Sequence, residues 1–403
     1  MTRSVRPLLA SLVFAVFAGA MPIAHAQQGV RPEVGKPLQA AQALIKQRKG
    51  REALSEIAKA EAVSGLTAQE KLVIAQMKGS AALAAGDNDA VIRAYEPLLE
   101  GGARTANSTQ MVQAVAVAYY SKKDYAKAAS WTQRYFKEGG SDPQMRTVLL
   151  QSYYLGNDCN AVSKMLGSAV ESESGKKPSE EELQILANCY LRQKDTGGYV
   201  AAIEKLVVYY PKKEYWTDLL SRVQKKPGFS DRLGVNVYRL RFATGNAGTA
   251  NDYMEMAQLA VQGGTPAEAK IIIDKGYANG VLGKGDQADR QKRLKDLVEK
   301  AVADSQKTRA QDEADALAAK DGNDLVKIGL NYVYEGNAAK GISLVEQGIK
   351  KGGLKRPEDA KLRLGEAELH AGQRQRGVQT LKDVKGTDGT ADIARLWVLY
   401  ARA

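Results

Sequence analysis

Histidine is almost missing from this chain: two are present among 403 residues, His25 and His370. Cysteine is equally scarce, with only Cys159 and Cys189. A histidine-activated nucleophile needs its partner, and a multi-histidine metal site needs several ligands. Loss of His25 with the N-terminal segment described below leaves His370 alone and excludes both. No Gly-Lys-Ser/Thr loop is present to cradle a phosphate. The acidic run Glu180-Glu181-Glu182 suits a helix start, where carboxylates complement the helix dipole. No catalytic residue, metal ligand or cofactor is assigned, and the expectation is a protein that is not an enzyme. Proline is low at 11 residues and aromatics at 6%. Alanine is abundant, so the composition favours helices.

Long apolar runs are missing too, except for one near the start. Arg3 and Arg6 precede an apolar stretch from Leu8 to about Ala20, and Ala24-His25-Ala26 follows. Basic, apolar, then small-x-small is the pattern of a cleaved export signal, with cleavage expected after Ala26. The stretch is shorter than the ~20 residues that span a bilayer comfortably. No later stretch offers a transmembrane anchor. The expectation is therefore residues 1–26 as signal peptide and a mature chain in the periplasm. Losing two arginines lowers the net charge from +12 to +10. A basic exported chain suits anionic surfaces or acidic partners, and export argues against nucleic acid.

A repeat explains the remaining length. Helical segments are joined by turns carrying Gly or Asp, each followed by a small residue that opens the next helix. These small residues are Ala53, Ala90, Ala128, Ala161, Ala202, Ala269, Gly341 and Gly377, spaced by 37, 38, 33, 41, 67, 72 and 36 residues. The two long gaps each hold one eroded unit, placed at Gly234 and Ala310. About ten units result, with a mean period of 36 residues. Apolar stripes at i, i+3, i+4 and i+7 recur, as in Val112, Val115, Ala116 and Tyr119, or Leu325, Ile328, Gly329 and Tyr332. Each stripe marks a helix buried on one side. Its small residue lets two helices pack closely.

The run Leu325-x-x-Ile328-Gly329-x-x-Tyr332 resembles the first-helix pattern of the tetratricopeptide (TPR) family. Tetratricopeptide repeats run at about 34 residues. Tryptophan is absent from its usual place, and Leu, Val or Tyr stands there instead. The resemblance implies an all-α, right-handed TPR-like α-solenoid of helix-turn-helix units. A flexible leader is expected at 27–37, repeats at 38–389 and a capping helix at 390–403. Residues 286–320 are read as a surface helix pair of the eighth unit. Trp397 is read as packing in the cap. The order Tyr210-Pro211 to Trp216, then Tyr253 to Ala260, then Gly264 to Ala269, is similar to periplasmic tetratricopeptide proteins encoded beside TonB, ExbB and ExbD. That likeness implies an accessory role in energised outer-membrane transport.

First helices line the concave wall of such a solenoid. Helical phase places Gln113, Tyr120, Arg146, Tyr153, Tyr154, Gln184, Asn188 and Arg192 on the expected partner-binding groove. Tyrosine, arginine and amides offer flat area with hydrogen bonds. Tyr153 and Tyr154 fit either groove or core. Cys159 and Cys189 form a disulfide candidate in an oxidising compartment, with two packed thiols as the alternative. Two functions fit: a scaffold for envelope protein partners, including TonB, ExbB or ExbD components, or a binder of an anionic polymer such as envelope polysaccharide or peptidoglycan.

Overall fold

The structure is a computed structural model that describes residues 30–102, 105–171 and 177–403. The expected signal segment 1–26 and the middle of the polar loop, 172–176, lie outside the described residues. Among the described residues there are twenty α-helices, one short 3-10 turn and no strand. The chain divides into two compact units at Met165/Leu166. No described helix is long and apolar enough to cross a membrane.

The first unit holds α1 (Pro32–Lys46), α2 (Gly50–Glu61), α3 (Ala68–Ala85), α4 (Asn88–Glu100), α5 (Ser108–Ser121), α6 (Tyr125–Lys137), α7 (Pro143–Leu155) and the start of α8 (Cys159–Glu171). The second holds the rest of α8, α9 (Glu180–Arg192), α10 (Thr196–Tyr209), α11 (Lys213–Gln224), α12 (Gly234–Ala243), α13 (Ala250–Gln262) and α14 (Pro266–Ala278). It continues with α15 (Ala288–Ala318), α16 (Asn323–Tyr334), α17 (Ala338–Lys351), α18 (Pro357–His370), α19 (Arg374–Lys382) and α20 (Thr390–Arg402). Consecutive helices pair as TPR-like hairpins.

One local device makes eight of the nine hairpins. A residue with positive φ ends the first helix: Arg48, Gly86, Lys123, Asn157, Lys194, Gly264, Gly336 or Gly372. The amide of the next residue then donates to the carbonyl five residues back. Asp87 bonds Ala82, Asp124 bonds Tyr119, Asp158 bonds Tyr153 and Asp195 bonds Tyr190, at 2.8–3.0 Å. This is the Schellman closure, which satisfies carbonyls left over at a helix end. The same aspartates then cap the second helix, accepting from the amides of Ala90, Lys127, Ala161 and Gly198 at 2.9–3.1 Å. The recurrent Asp therefore both closes one helix and opens the next.

The small residues pack as expected. Ala53, Ala128, Ala202 and Ala269 are wholly buried. Gly329 on α16 faces Gly341 on α17 so closely that a Cβ on Gly341 would lie 2.4 Å from the Gly329 carbonyl oxygen.

Two expectations need correction. The leader through Pro37 is helical from Pro32, because Val34, Leu38 and Ala41 bury one face of α1. Arg31 also clasps the buried Glu70 through its backbone amide and its guanidinium, at 2.9–3.0 Å. Residues 286–320 form no helix pair. No Gly or Pro interrupts Ala288–Ala318, and α15 runs unbroken for 31 residues. The repeat region divides into two compact units within α8. The last helix, α20, buries Ile393, Leu396 and Trp397. It packs on α18 and α19, and also on α10 and α12.

Candidate functional site

In the first unit, α6 and α7 are held together from below. Trp131 and Tyr135 of α6 share a core with Met145 and Val148 of α7. The amide of Asp142 donates to the Tyr135 hydroxyl at 3.0 Å, pinning the start of α7 to α6. Gly140 makes that turn possible, because a Cβ there would lie within 2.6 Å of the Tyr135 ring. Asp158 caps α8 as described above.

Above this core lies an open depression of about 560 Å³. Each helix contributes residues at helical spacing. Helix α6 gives Gln133 and Phe136, and α7 gives Arg146, Leu149 and Tyr153. Helix α8 gives Ala161, Lys164 and Met165. The Gln133 amide donates to the Tyr153 hydroxyl across the rim. Phe136 is exposed and Leu149 half-buried. The lining is thus apolar, with two cations and no carboxylate.

The expected groove residues do not share one face. Arg146 and Tyr153 turn toward the second helices α6 and α8. Gln113 instead donates to Asp142 at 2.9 Å. Tyr120 donates to Gln151 at 2.5 Å, and at 100° per residue Gln151 lies roughly 140° around α7 from Arg146. Tyr154, half-buried, lies between these faces. Gln184, Asn188 and Arg192 belong to the second unit. There Gln184 donates to the Tyr215 hydroxyl, Asn188 donates to the Gln184 carbonyl at 2.9 Å, and Arg192 is exposed. Neither cysteine is free: Cys159 and Cys189 are both disulfide-bonded.

Sequence reasoning missed Gln133, Phe136, Lys164 and Met165, because only first helices were assigned to binding. An exposed Phe136 beside the buried stripe of α6 was the available signal. It also missed a buried ionic cluster in the second unit. Arg239 on α12 grips Glu268 on α14 with two bonds of 2.7 and 2.9 Å. Arg363 on α18 reaches the same carboxylate at 3.1 Å and also pairs with Glu366. Asn236 donates to Glu366 at 3.2 Å, and Thr265 to Glu268 at 3.0 Å. Burial alone would push the Glu268 carboxyl up, but Arg239 and Arg363 outweigh it and hold its pKa at about 2. Burial pushes the neighbouring Tyr334 phenol up to about 12. His370, against the Tyr334 ring, is held below the usual histidine value by burial. Two arginines and two glutamates satisfy one another, so this cluster acts as a strut joining α12, α14 and α18.

No protein-family model matches the chain, and no curated protein matches it. Among solved structures it is similar to yeast Tom70, at 12% identity over 91% of this chain and 95% of that one, with a TM-score of 0.26. It is also similar to Naa15/Naa10 bound to HypK-THB, at 14% identity and a TM-score of 0.31. That match covers 90% of this chain and 64% of the other, just under two thirds of its length.

Proposed function

We propose that this chain is an exported helical-repeat scaffold that holds a protein partner in the cell envelope. The observation that carries the reading is the open amphipathic depression across α6, α7 and α8. Flat aromatic and apolar area beside amide and guanidinium donors is the composition of protein interface anchors. The Arg3-to-Ala26 pattern supports export to the periplasm. The Tyr210–Ala269 order supports service to a TonB-energised transport system.

A photoreactive residue replacing Leu149, in cells that express the native chain, tests the reading. The expected result is covalent adducts with a discrete protein, absent when the probe replaces the exposed Ala303 of α15. TonB, ExbB or ExbD in the adduct supports the transport role. Protease-resistant adducts that yield only polysaccharide or peptidoglycan would replace the protein partner with the polymer. No adduct at Leu149 would remove the depression from the function.

A further inference from the structure

We infer that Glu368 is a proton-operated latch in the last hairpin, seating α19 against α18 when its carboxyl is protonated and loosening it when the carboxyl is ionised. Three observations carry it, all within the second unit or repeated along the chain.

The first is position. In each hairpin closed by a positive-φ residue, one carbonyl near the end of the first helix accepts the closing amide. That carbonyl belongs to a tyrosine in four hairpins, to an alanine in two and to Leu44 in one. In the last hairpin it belongs to Glu368. Two of the tyrosines complete a clip across three helices. Tyr119 donates to Glu96 at 2.6 Å and accepts from Lys127 at 3.1 Å. Tyr332 donates to Glu313 at 2.8 Å and accepts from Lys340 at 3.0 Å. Each clip balances one carboxylate with one ammonium across a neutral phenol. Arg376 and Glu346 occupy the same two places around Glu368. Arg376 Nε lies 2.7 Å from the Glu368 carboxylate, and the same guanidinium pairs with Glu346. An ionised Glu368 therefore puts two anions on one cation, and a protonated one restores the neutral centre.

The second is enclosure. The Glu368 side chain is 1% exposed. One turn earlier, Gly365 brings the α18 backbone onto α19. A Cβ on Gly377 would lie 3.0 Å from the Gly365 carbonyl oxygen and 2.9 Å from the Leu369 side chain. Helices crossing this closely leave a carboxylate little water, which disfavours its charge. Burial pushes the Glu368 carboxyl above the ordinary glutamate value, and Glu346 pushes the same way. The Thr380 hydroxyl and Arg376 oppose them without cancelling them. Arg363 and Glu366 of α18 turn instead to Glu268 and Asn236. Among the described residues, α16 and α20 present no charge that acts on Glu368.

The third is the weakness of what the latch holds. Helix α19 has nine residues and buries only Gly377 and Leu381. Helix α20 packs on it. An element with so few buried contacts opens readily, so one charge in its seam sets how firmly α19 and the helix leaning on it are seated. The sign follows from the raised folded-state value. The stabilising contribution is fully present below the unfolded value near ~4.3 and is lost as pH rises through the folded one.

The test is hydrogen exchange of the full chain, corrected for intrinsic rates, at about pH 4 and about pH 7.5. In the parent, protection of residues 374–382 should fall as pH rises, against the opposite slope that Glu268 gives the unit. In Glu368→Gln the opening of this segment should be roughly tenfold rarer than in the parent at the higher pH and equal to it at the lower. A purely structural role would give the substitution the same effect at both. That result overturns the inference, as does faster exchange in Glu368→Gln at the higher pH. If Glu368→Gln does not fold, the profile of the parent decides alone: protection of 374–382 that is flat or rises with pH overturns the latch.

Discussion

Adding one methyl group at Gly341 should pry α16 from α17. A Cβ on Gly341 would lie 2.4 Å from the Gly329 carbonyl oxygen, 2.6 Å from Val333 Cγ2 and 2.7 Å from the Val333 amide nitrogen. Two of these are backbone atoms, so no rotamer change relieves the clash. Ordinary contact requires the seam to open by about 1 Å, and a gap of that size forfeits a quarter to a half of each dispersion contact along it. The seam contains Val326, Leu330, Val333, Ile342 and Val345. Overpacking of this kind costs about 1–3 kcal/mol. The methyl also gains about 1 kcal/mol of helix propensity. Because the strain falls on backbone, the upper part of the range applies, and the net loss for Gly341→Ala is about 2 kcal/mol. For a unit of this size that lowers Tm by roughly 4–8 °C. Gly329→Ala should behave alike, since its Cβ would meet the Gly341 oxygen at 2.6 Å. The double variant should cost less than the sum, because one opening accommodates both methyls. Gly35, with nothing within 4 Å of an added Cβ, is the control. Gly35→Ala should stabilise by about 0.5–1 kcal/mol. The assay is urea and thermal unfolding, with hydrogen exchange locating the loss to residues 323–351. A stabilised Gly341→Ala would refute the close-packing argument.

Other substitutions probe the remaining features. Glu268→Ala leaves Arg239 and Arg363 buried against Glu366 alone and should cost about 3–5 kcal/mol, read as a lower urea midpoint of the second unit. A midpoint within error of the parent would show that the cluster is not a strut. Glu268 has its folded-state pKa depressed to about 2, so its contribution is present above the unfolded value near ~4.3 and is lost as pH falls from there toward 2. A pH series of urea midpoints from 5 to 2.5 should show that slope in the parent and lack its Glu268 part in Glu268→Gln. Arg31→Ala should speed hydrogen exchange along α1, because it removes the guanidinium bonds to Glu70; unchanged protection would separate the clasp from helix docking. Lys123→Gly and Lys194→Gly relieve left-handed backbone at φ of 64° and 59°. Each should gain about 0.5 kcal/mol, the steric relief exceeding the added chain entropy, and a loss of stability would show that the lysine side chains contribute more than the turn.

What the sequence displayed clearly was local. The Schellman closure needs only a residue that tolerates left-handed φ, followed by a cap. Gly86-Asp87, Lys123-Asp124, Asn157-Asp158 and Lys194-Asp195 write both into two adjacent positions. The small residue after each turn is legible for the same reason, since the helix contact it makes is fixed by the turn. Legibility fails where a neighbour decides. The eighth unit is a long helix because no breaker interrupts Ala288–Ala318, and a mean period cannot register that. Phase left Tyr153 and Tyr154 open between groove and core, and α6 and α8 decided by drawing Tyr153 to the depression. Arg363 and Glu366 sit within an apolar stretch of α18 that reads as stripe interrupted by charge. They pair with each other three residues apart, but Glu268 and Asn236, which join them from other helices, lie 95 and 130 residues away, so no window of sequence contains those contacts.

The C-terminal helix carries the same lesson furthest. In an open solenoid each hairpin touches only its neighbours, and a terminal helix covers the last one. Helix α20 does cover α18 and α19, yet it also packs on α10 and α12. Arg395 pairs with Glu204 and Lys226 with Asp392, and Arg232 holds Asp359 and Asp388. These pairs are partly exposed and individually worth about 0–1 kcal/mol, so they do not by themselves fix the closure. Geometry does. The Ser230 amide donates to the Asp388 carbonyl at 2.9 Å. Gly389, at φ of 100°, lets the chain pass the Phe229 ring where a Cβ would lie 2.4 Å away. A repeat array propagates stability from neighbour to neighbour. A unit whose last helix returns to its early ones must instead gain or lose those contacts together, which makes the second unit cooperative in a way its repeats alone do not require.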